Sequence, residues 1–366
     1  MTSGGAAPIP FGSAGRGGAD SAESNADLVR ATRARALRRE RRVIGILAIA
    51  FVVAVGASLA VGAYSLSVPD LVRTLVGQGS ASQNFVVLTL RLPRLILALL
   101  AGAAFALSGA LFQSVLRNPL ASPDIIGVTG GASAAAVYGM LILGFGGLAT
   151  SAAAFVGAVV VAAAIYLLAW RGGVAGYRFV LIGVGVAFMV QGVLSYLLTR
   201  ADLNDAQDAL VWLVGSISGA RWPDVATLAV LVAVLVPVTA ILAVRLRGLQ
   251  LGDDEANALG IRAERARLAL LALAVTLAAG ATAAVGPLAF VAFVSAPIAR
   301  RLVRSGGLAL VPSALVGALL TVVADFTAQH LLPGDLQLPA GIVTGAIGAP
   351  YLLWLLATAN RSGRGA

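Results

Sequence analysis

Few residues in this 366-residue chain are grouped in a way that could do chemistry, and two short polar stretches stand out. One stretch carries three carboxylates in succession at 253–255, and the other carries Arg91 and Arg94, three residues apart. These groups recognise charge and are not arranged for catalysis. The chain has no cysteine, which excludes thiol chemistry, and its single histidine, His330, excludes a multi-histidine metal site within the chain.

A nucleotide-binding loop is also missing from the sequence. No Gly-x-x-x-x-Gly-Lys-Ser/Thr pattern occurs, and all 26 basic residues are arginines, so no lysine could complete one. Any ATP hydrolysis must therefore come from another chain.

The composition is that of a membrane protein. Hydrophobic residues make up 59% of the chain, charged residues 11%, and the mean hydropathy is +0.93, whereas soluble domains carry about a quarter charged residues. About ten apolar runs occur, most near the roughly twenty residues that a helix needs to cross a membrane. These runs are 43–64, 95–116, 125–143, 148–170, 179–198, 225–244, 268–285, 288–299, 308–325 and 340–359. The eighth is short, and Gly286-Pro287 before it predicts a broken or half-length helix.

The arginines predict the orientation. If the N-terminus is cytoplasmic, 21 arginines fall in inside segments and five outside: Arg73, Arg91, Arg94, Arg200 and Arg221. This bias follows the positive-inside rule, and ten spans return the C-terminus to the cytoplasm. The arginines lie at helix ends without interleaved aromatic residues, which disfavours nucleic acid as a partner.

Both chain ends are expected to be tails. Residues 1–42 are rich in Gly, Ala, Ser and Arg and have no apolar periodicity, which predicts a disordered cytoplasmic segment, and 361–366 form a short cytoplasmic tail. The arginines of 30–42 are either a topology signal or a contact with membrane lipids.

The polar loop 247–267 is predicted to contain a short helix. Its carboxylates suit a positive helix N-terminus, small apolar residues follow, and a glycine suits the C-terminal stop. Such a helix with exposed apolar residues either needs a protein partner or lies on the membrane surface. The residues assigned to it are Asp253, Asp254, Glu255, Ala256, Leu259 and Gly260.

A polar hinge follows the second apolar run. The segment 113–127, QSVLRNPLASPDIIG, should end a helix because proline disfavours the α conformation at Asn118, and Pro123 restarts the chain. Polar residues here and in the fifth run are candidates for a translocation path or gate, and those of the fifth run could equally join helices. The candidates are Gln113, Asn118, Pro119, Gln191, Ser195 and Tyr196.

Several motifs together resemble a known family. They are Arg91-Leu-Pro-Arg94, the helix 101–113 (AGAAFALSGALFQ), the hinge 113–127 and the following Gly127-Val-Thr-Gly-Gly-Ala132. With the segments 286–303 and 338–356, they are similar to the permease subunits of ABC importers for iron-siderophores, haem and vitamin B12. The resemblance covers roughly residues 43–360.

The resemblance implies an all-α polytopic permease, not itself an enzyme, in the bacterial cytoplasmic (inner) membrane. It would carry a ferric siderophore, or haem or vitamin B12, by alternating access and bind no cofactor directly. Its partners would be a second permease chain, an extracytoplasmic substrate-binding protein and an ATP-binding subunit that uses ATP and Mg²⁺. The loop helix would be the coupling helix that docks into this subunit.

The resemblance also gives Arg91 and Arg94 a role, which is to receive carboxylates of the binding protein; the alternative is anchoring in phospholipid headgroups. Two departures occur. Gln329 and His330 follow Ala324-Asp325 where the family has a further arginine, and Pro297 stands where members often have a histidine. The second departure suggests one half of a heterodimeric pore, and whether the two chains are identical stays open.

Two rival functions leave features that can be sought in the sequence. A secondary transporter should show buried ion-coupling carboxylates, and a polytopic membrane enzyme should show a polar catalytic cluster at the membrane face. The sequence displays neither.

Overall fold

A computed structural model describes residues 17–62, 64–170, 176–304, 307–331 and 337–362, and within these ranges the regular secondary structure is helical. A π-helical turn, Phe85–Arg91, joins α3 to α4. The helices are α1 (Gly17–Ala60), α2 (Val68–Leu75), α3 (Ala81–Asn84), α4 (Leu92–Val115), α5 (Pro123–Ile126), α6 (Val128–Leu143), α7 (Leu148–Ala169), α8 (Gly176–Arg200), α9 (Leu203–Val214), α10 (Trp222–Leu251), α11 (Asp253–Ala258), α12 (Ala263–Val285), α13 (Val291–Val303), α14 (Leu310–His330) and α15 (Ala340–Ser362).

Ten of these helices correspond to the ten predicted spans: α1, α4, α6, α7, α8, α10, α12, α13, α14 and α15. In the described residues, seven helices are long and apolar enough to cross a membrane, and two shorter apolar helices lie at 128–143 and 340–355. The prediction of an all-α polytopic membrane protein is confirmed.

The predicted break before the eighth span is also present. Helix α12 ends at Val285, Gly286 takes a φ of 73°, and α13 begins only at Val291. Its 13 residues extend about 20 Å, which is well short of a hydrocarbon core of about 30 Å. Helix α13 is therefore a half-length helix held inside the bundle.

Helix α4 is the centre of the bundle and packs against α10, α12, α13 and α14. Two of its glycines allow the close approach. A Cβ on Gly102 would overlap the carbonyl of Gly317 on α14, and a Cβ on Gly109 would overlap the carbonyl of Ala292 on α13. Small residues let helices pack closely in lipid, where packing drives association.

The N-terminal prediction needs a correction. The sequence predicts disorder through residue 42, whereas α1 is continuous from Gly17; residues 1–16 lie outside the described part. The stretch before the membrane is rich in Ala and Arg, which favour helix. It extends a helix that the membrane already nucleates, so it avoids the cost of starting one.

Two amphipathic helices lie outside the apolar runs, and hydropathy alone did not reveal them. Ser67 is the N-cap of α2, where its hydroxyl accepts a hydrogen bond from the Asp70 amide, and Pro69 occupies the first turn of the helix. Helix α9 follows α8 after only two residues and carries the buried Ala209. Both extend the bundle at the end where α4 begins.

Candidate functional site

Charged residues gather at the two ends of α4. The end that carries Arg94 is called here the Arg94 end, and the opposite end, next to Arg117, is called the Arg117 end. At about 1.5 Å per residue these two arginines are roughly 35 Å apart, enough to lie on opposite faces of a membrane.

At the Arg94 end, an ion pair joins α4 to α14. The guanidinium of Arg94 donates from Nε to Oδ2 of Asp325 at 2.9 Å and from Nη2 to Oδ1 at 2.8 Å. The two side chains are only 16% and 8% exposed. Gln329, one turn further along α14, donates to the same Oδ2 at 2.6 Å. The carboxylate therefore accepts three hydrogen bonds, and its pair with Arg94 has the bidentate geometry of strong charge-assisted bonds.

This pair gives Arg94 a partner inside the chain. The sequence predicts that its positive charge invites an acidic partner from another protein, or a phospholipid headgroup. The structure supplies an acidic partner within the same chain, Asp325, and a role of Arg94 in docking stays a prediction. Gln329, which stands where the family pattern departs, completes the internal network.

Arg91 lies differently, at the mouth of a cavity. It donates from Nη1 to the carbonyl of Leu59 and from Nη2 to the carbonyl of Tyr64, both at 2.6 Å. The Leu59 carbonyl lies in the last turn of α1, where helix carbonyls lack intrahelical partners and attract cations. Arg91, Arg94 and His330 line a cavity of about 680 Å³ that is open to the outside of the bundle. Arg91 is thus half-buried and keeps further N–H donors for a ligand.

At the Arg117 end, α11 confirms the predicted loop helix. Its stop is a Schellman motif: Ile261 N–H donates to the Ala256 carbonyl and Gly260 N–H to the Asn257 carbonyl, both at 2.9 Å, with Gly260 at a φ of 78°. The three carboxylates of 253–255 occupy its first turn, where the helix dipole favours negative charge.

The faces of α11 correct one residue assignment. Ala256 is fully buried within the chain, so its side chain cannot be an apolar contact for a partner. Leu259, the C-cap of α11, is 64% exposed and is the large apolar side chain at this position. Asp254 and Glu255 are also exposed. A partner at α11 would therefore meet Leu259 rimmed by carboxylates.

Ion pairs join α11 to its neighbours. Arg267 of α12 donates from Nη2 to both carboxylate oxygens of Asp253 at 2.8 Å and from Nη1 to Glu264 at 2.8 Å. Arg117 lies 3.8 Å from Asp253, with side chains 52% and 48% exposed, and it also donates to the carbonyl of Leu249 at the end of α10. The end of α4 is thereby connected to α11.

The predicted hinge after α4 is confirmed as a helix exit. Helix α4 ends at Val115, and Arg117 takes a φ of 50°. The Asn118 side chain then accepts a hydrogen bond from the Leu120 amide at 2.9 Å. This bond closes an Asx turn over residues 118–120, after which the chain enters α5. Asn118 and Pro119 line a cavity of about 440 Å³ at this end of the bundle.

Gln113 is engaged inside the bundle. Its Nε2 donates to the carbonyl of Phe293 at 2.9 Å, and its Oε1 accepts from Arg300 at 3.3 Å. Pro297 has no N–H, so the carbonyl four residues earlier in α13, that of Phe293, lacks its normal helical donor. The Gln113 amide supplies that donor, and the residue is only 2% exposed. Gln113 therefore joins α4 to α13.

The polar residues of α8 lie on the surface of the chain. Gln191, Ser195 and Tyr196 are all exposed. In the described part of the structure, the side chains of Gln191 and Ser195 form no hydrogen bond, while the Tyr196 ring lies 5.7 Å from the Arg200 guanidinium. Hydrogen bonding between helices of one chain, an alternative that the sequence left open, is not their role here.

Two charged residues that organise the site were not assigned from sequence. Asp325 is a lone carboxylate near the end of an apolar run, and Arg300 is an arginine whose guanidinium contacts Gln113 and Ser114. Charged groups in membrane helices usually face a partner inside the bundle. That rule could have suggested pairing Asp325 with one of the arginines at the same end.

Comparisons with known proteins agree with this architecture. Residues 48–358 match the model of the FecCD transport family. The ferric enterobactin transport system permease protein FepG of Escherichia coli (strain K12) is 40% identical over 300 residues, 82% of this chain and 91% of the relative. The achromobactin transport system permease protein CbrC of Dickeya dadantii (strain 3937) is 42% identical over 304 residues, 82% of this chain and 86% of the relative.

A solved structure shares the fold. It is described as a metal-chelate type ABC transporter in an inward-facing conformation, and it superposes with a TM-score of 0.76 at 29% identity, over 87% of this chain and 99% of that chain. The relatives and the family match both extend over most of the sequence. The chain therefore belongs to the FecCD transport family.

Proposed function

We propose that this chain is the membrane-spanning permease subunit of an ATP-driven importer, and that its substrate is a ferric siderophore. The relatives named above are permeases of ferric enterobactin and achromobactin transport systems, and neither name points to haem or vitamin B12. The observation that carries the proposal is α11, a capped helix that presents Leu259 at one end of a multi-pass bundle of this family.

Helix α11 would couple the bundle to a separate ATP-binding subunit, which would use ATP and Mg²⁺. The interface would centre on Leu259 and include Asp254 and Glu255, all of them exposed. The Schellman stop and the Asp253–Arg267 pair hold α11 to α12, so a push on α11 would reach the bundle. An exposed leucine surrounded by carboxylates suits a partner groove with an apolar floor and a basic rim.

A second permease chain would pack against α8. Gln191 and Ser195 lie on its exposed face together with Tyr196, and polar groups that faced lipid alone would be costly. If two such faces lined a path, water or substrate in the path could form hydrogen bonds with these polar side chains. Two copies of this chain and a pair of paralogues both fit this arrangement.

The Arg117 end would lie in the cytoplasm, with both chain termini on that side. Arg117, Arg267 and Arg300 all contact groups at this end, whereas Arg91, Arg94 and Arg221 lie at the other. The segregation follows the positive-inside rule for a bacterial cytoplasmic membrane. A substrate-binding protein would then dock at the Arg94 end, with Arg91 rather than Arg94 as the arginine that meets its carboxylates.

Reconstitution tests the proposal. The chain is placed in proteoliposomes with its ATP-binding subunit and binding protein, and uptake of a ⁵⁵Fe-labelled siderophore is measured. We expect uptake that requires ATP and stops with a non-hydrolysable analogue. Uptake that a proton gradient drives without the ATP-binding subunit would instead establish a secondary transporter.

A further inference from the structure

An apolar groove opens on the outside of the bundle at the Arg117 end. It has a volume of about 750 Å³ and lies between α1, α10 and α14. Its floor is α4, which contributes Leu99, Ala103 and Leu107, four residues apart and therefore on one helix face. Most of α4 is buried, and the groove is a gap between the outer helices where one face of α4 is accessible.

The groove has the length of one membrane leaflet. Along α10 it extends from Val236 through Ala240 and Ala243 to Arg247. The eleven steps from Val236 to Arg247 rise about 16 Å, close to half of a hydrocarbon core of about 30 Å. Small residues on the walls, among them Ala314 of α14, make the groove deep instead of filling it.

A groove of this kind in a bilayer is filled from the bilayer. Its lining offers almost no hydrogen-bonding groups, so ordered water has no reason to occupy it. An empty groove would lose the dispersion contacts of its walls. An acyl chain from the leaflet at the Arg117 end restores those contacts and runs parallel to α10.

Two opposite charges stand where the headgroup of that lipid would lie. Glu40 and Arg247 are the charged residues that line the groove in the described part of the chain. Arg39 donates to the carbonyl of Leu302 at 3.1 Å, which holds this part of α1 beside the end of α13. Neither Glu40 nor Arg247 has a hydrogen bond or ion pair among the described residues.

This pair is complementary to a zwitterion. The planar guanidinium of Arg247 can donate two parallel bonds to a phosphate, and the carboxylate of Glu40 can accept from a primary ammonium. A headgroup with a phosphate alone would satisfy Arg247 and place its negative charge near Glu40. We propose that the groove binds one phosphatidylethanolamine-type phospholipid, with an acyl chain on α4, its phosphate on Arg247 and its ammonium on Glu40.

Native mass spectrometry tests this site on the purified full chain. The delipidated protein is titrated with phosphatidylethanolamine or phosphatidylglycerol of identical acyl chains, and retained lipid is counted. We expect one phosphatidylethanolamine per chain, held about fivefold more tightly than phosphatidylglycerol, since one charge near a membrane surface changes affinity by about that factor. Equal or tighter retention of phosphatidylglycerol overturns the proposal.

Matched variants distinguish lipid binding in the groove from non-specific lipid binding elsewhere on the protein. Glu40→Gln should remove the preference between the two lipids, and Arg247→Gln should weaken both about fivefold. Arg245→Gln, two residues away and outside the groove lining, should change neither. Ala240→Phe should fill the groove and abolish retention, whereas Ile241→Phe on the exposed face of α10 should not. Retention that survives Ala240→Phe, or that falls equally with Arg245→Gln, overturns the site.

Discussion

The two ends of α4 use the same pair of residue types in opposite ways. At one end Arg94 and Asp325 form a bidentate pair with side chains only 16% and 8% exposed. At the other end Arg117 and Asp253 are 3.8 Å apart and about half exposed. The first pair joins two membrane helices, and the second joins a membrane helix to a loop helix.

The difference in burial gives the pairs different energetic weights. Removing one partner of a buried pair leaves an uncompensated charge and costs about 3–5 kcal/mol, whereas exposed pairs contribute about 0.2–1 kcal/mol. The contact between α4 and α14 at the Arg94 end is therefore costly to break, whereas the Arg117–Asp253 contact can rearrange at little cost. The Asp253–Arg267 pair still holds α11 to α12. Such an asymmetry suits a bundle that is driven from the Arg117 end.

The largest effect is expected for Asp325→Asn. It leaves the Arg94 guanidinium largely buried without a counter-charge and should lower the free energy of unfolding by about 3 kcal/mol or more. Thermal unfolding in detergent, followed by the loss of monodisperse protein, measures it. Asp224→Asn breaks the exposed Arg221–Asp224 pair and serves as the control, with an expected change below about 1 kcal/mol.

A double variant sharpens this result. Arg94→Gln combined with Asp325→Asn removes both charges and should cost clearly less than the sum of the single variants, because no charge is left unpaired. Strict additivity would show that the two side chains do not interact, and the proposed contrast between the ends would fail.

An intermediate effect is expected for Gln113→Ala. Gln113 is buried but lies toward the Arg117 end, so this variant tests whether burial of a polar contact, and not its position along the bundle, determines the loss of stability. The change leaves the Phe293 carbonyl without its donor and should destabilise by about 1–3 kcal/mol. Pro297→Ala restores a backbone N–H to that carbonyl, so Gln113→Ala should cost less in that background. Thermal unfolding of the four proteins gives the coupling, and equal costs in both backgrounds would contradict the assignment.

The smallest effect on stability is expected for Arg117→Gln. The half-exposed pair with Asp253 should contribute less than about 1 kcal/mol, so thermal unfolding should hardly change. ATP-driven uptake should nevertheless fall several-fold, because the end of α4 loses its side-chain contact with α11. Unchanged uptake would mean that the Arg117–Asp253 contact does not transmit movement of α11 to α4.

The sequence predicts the ten membrane-associated helices, the half-length helix and α11, because membrane length and capping residues are local signals. It does not predict the pairing of Arg94 with Asp325, which lie 231 positions apart and meet only after folding. The burial of Ala256 likewise depends on the tertiary packing of α11. A helix of six residues is too short for its hydrophobic pattern to distinguish the buried face from the exposed face. Helical structure from Gly17 does not follow from composition, because helix propensity and continuity with the first membrane span favour it.

Helix α11 is proposed to transmit the action of an ATP-binding subunit through Leu259. Leu259→Glu adds a charge to the exposed apolar contact without touching the core, and Leu331→Glu makes the same change at an equally exposed leucine at the Arg94 end. Co-purification with the ATP-binding subunit and ATP-driven uptake are measured for both variants in the reconstituted importer. We expect Leu259→Glu to lose the subunit or the uptake while Leu331→Glu retains the subunit. Normal complex formation together with normal uptake by Leu259→Glu would contradict the account.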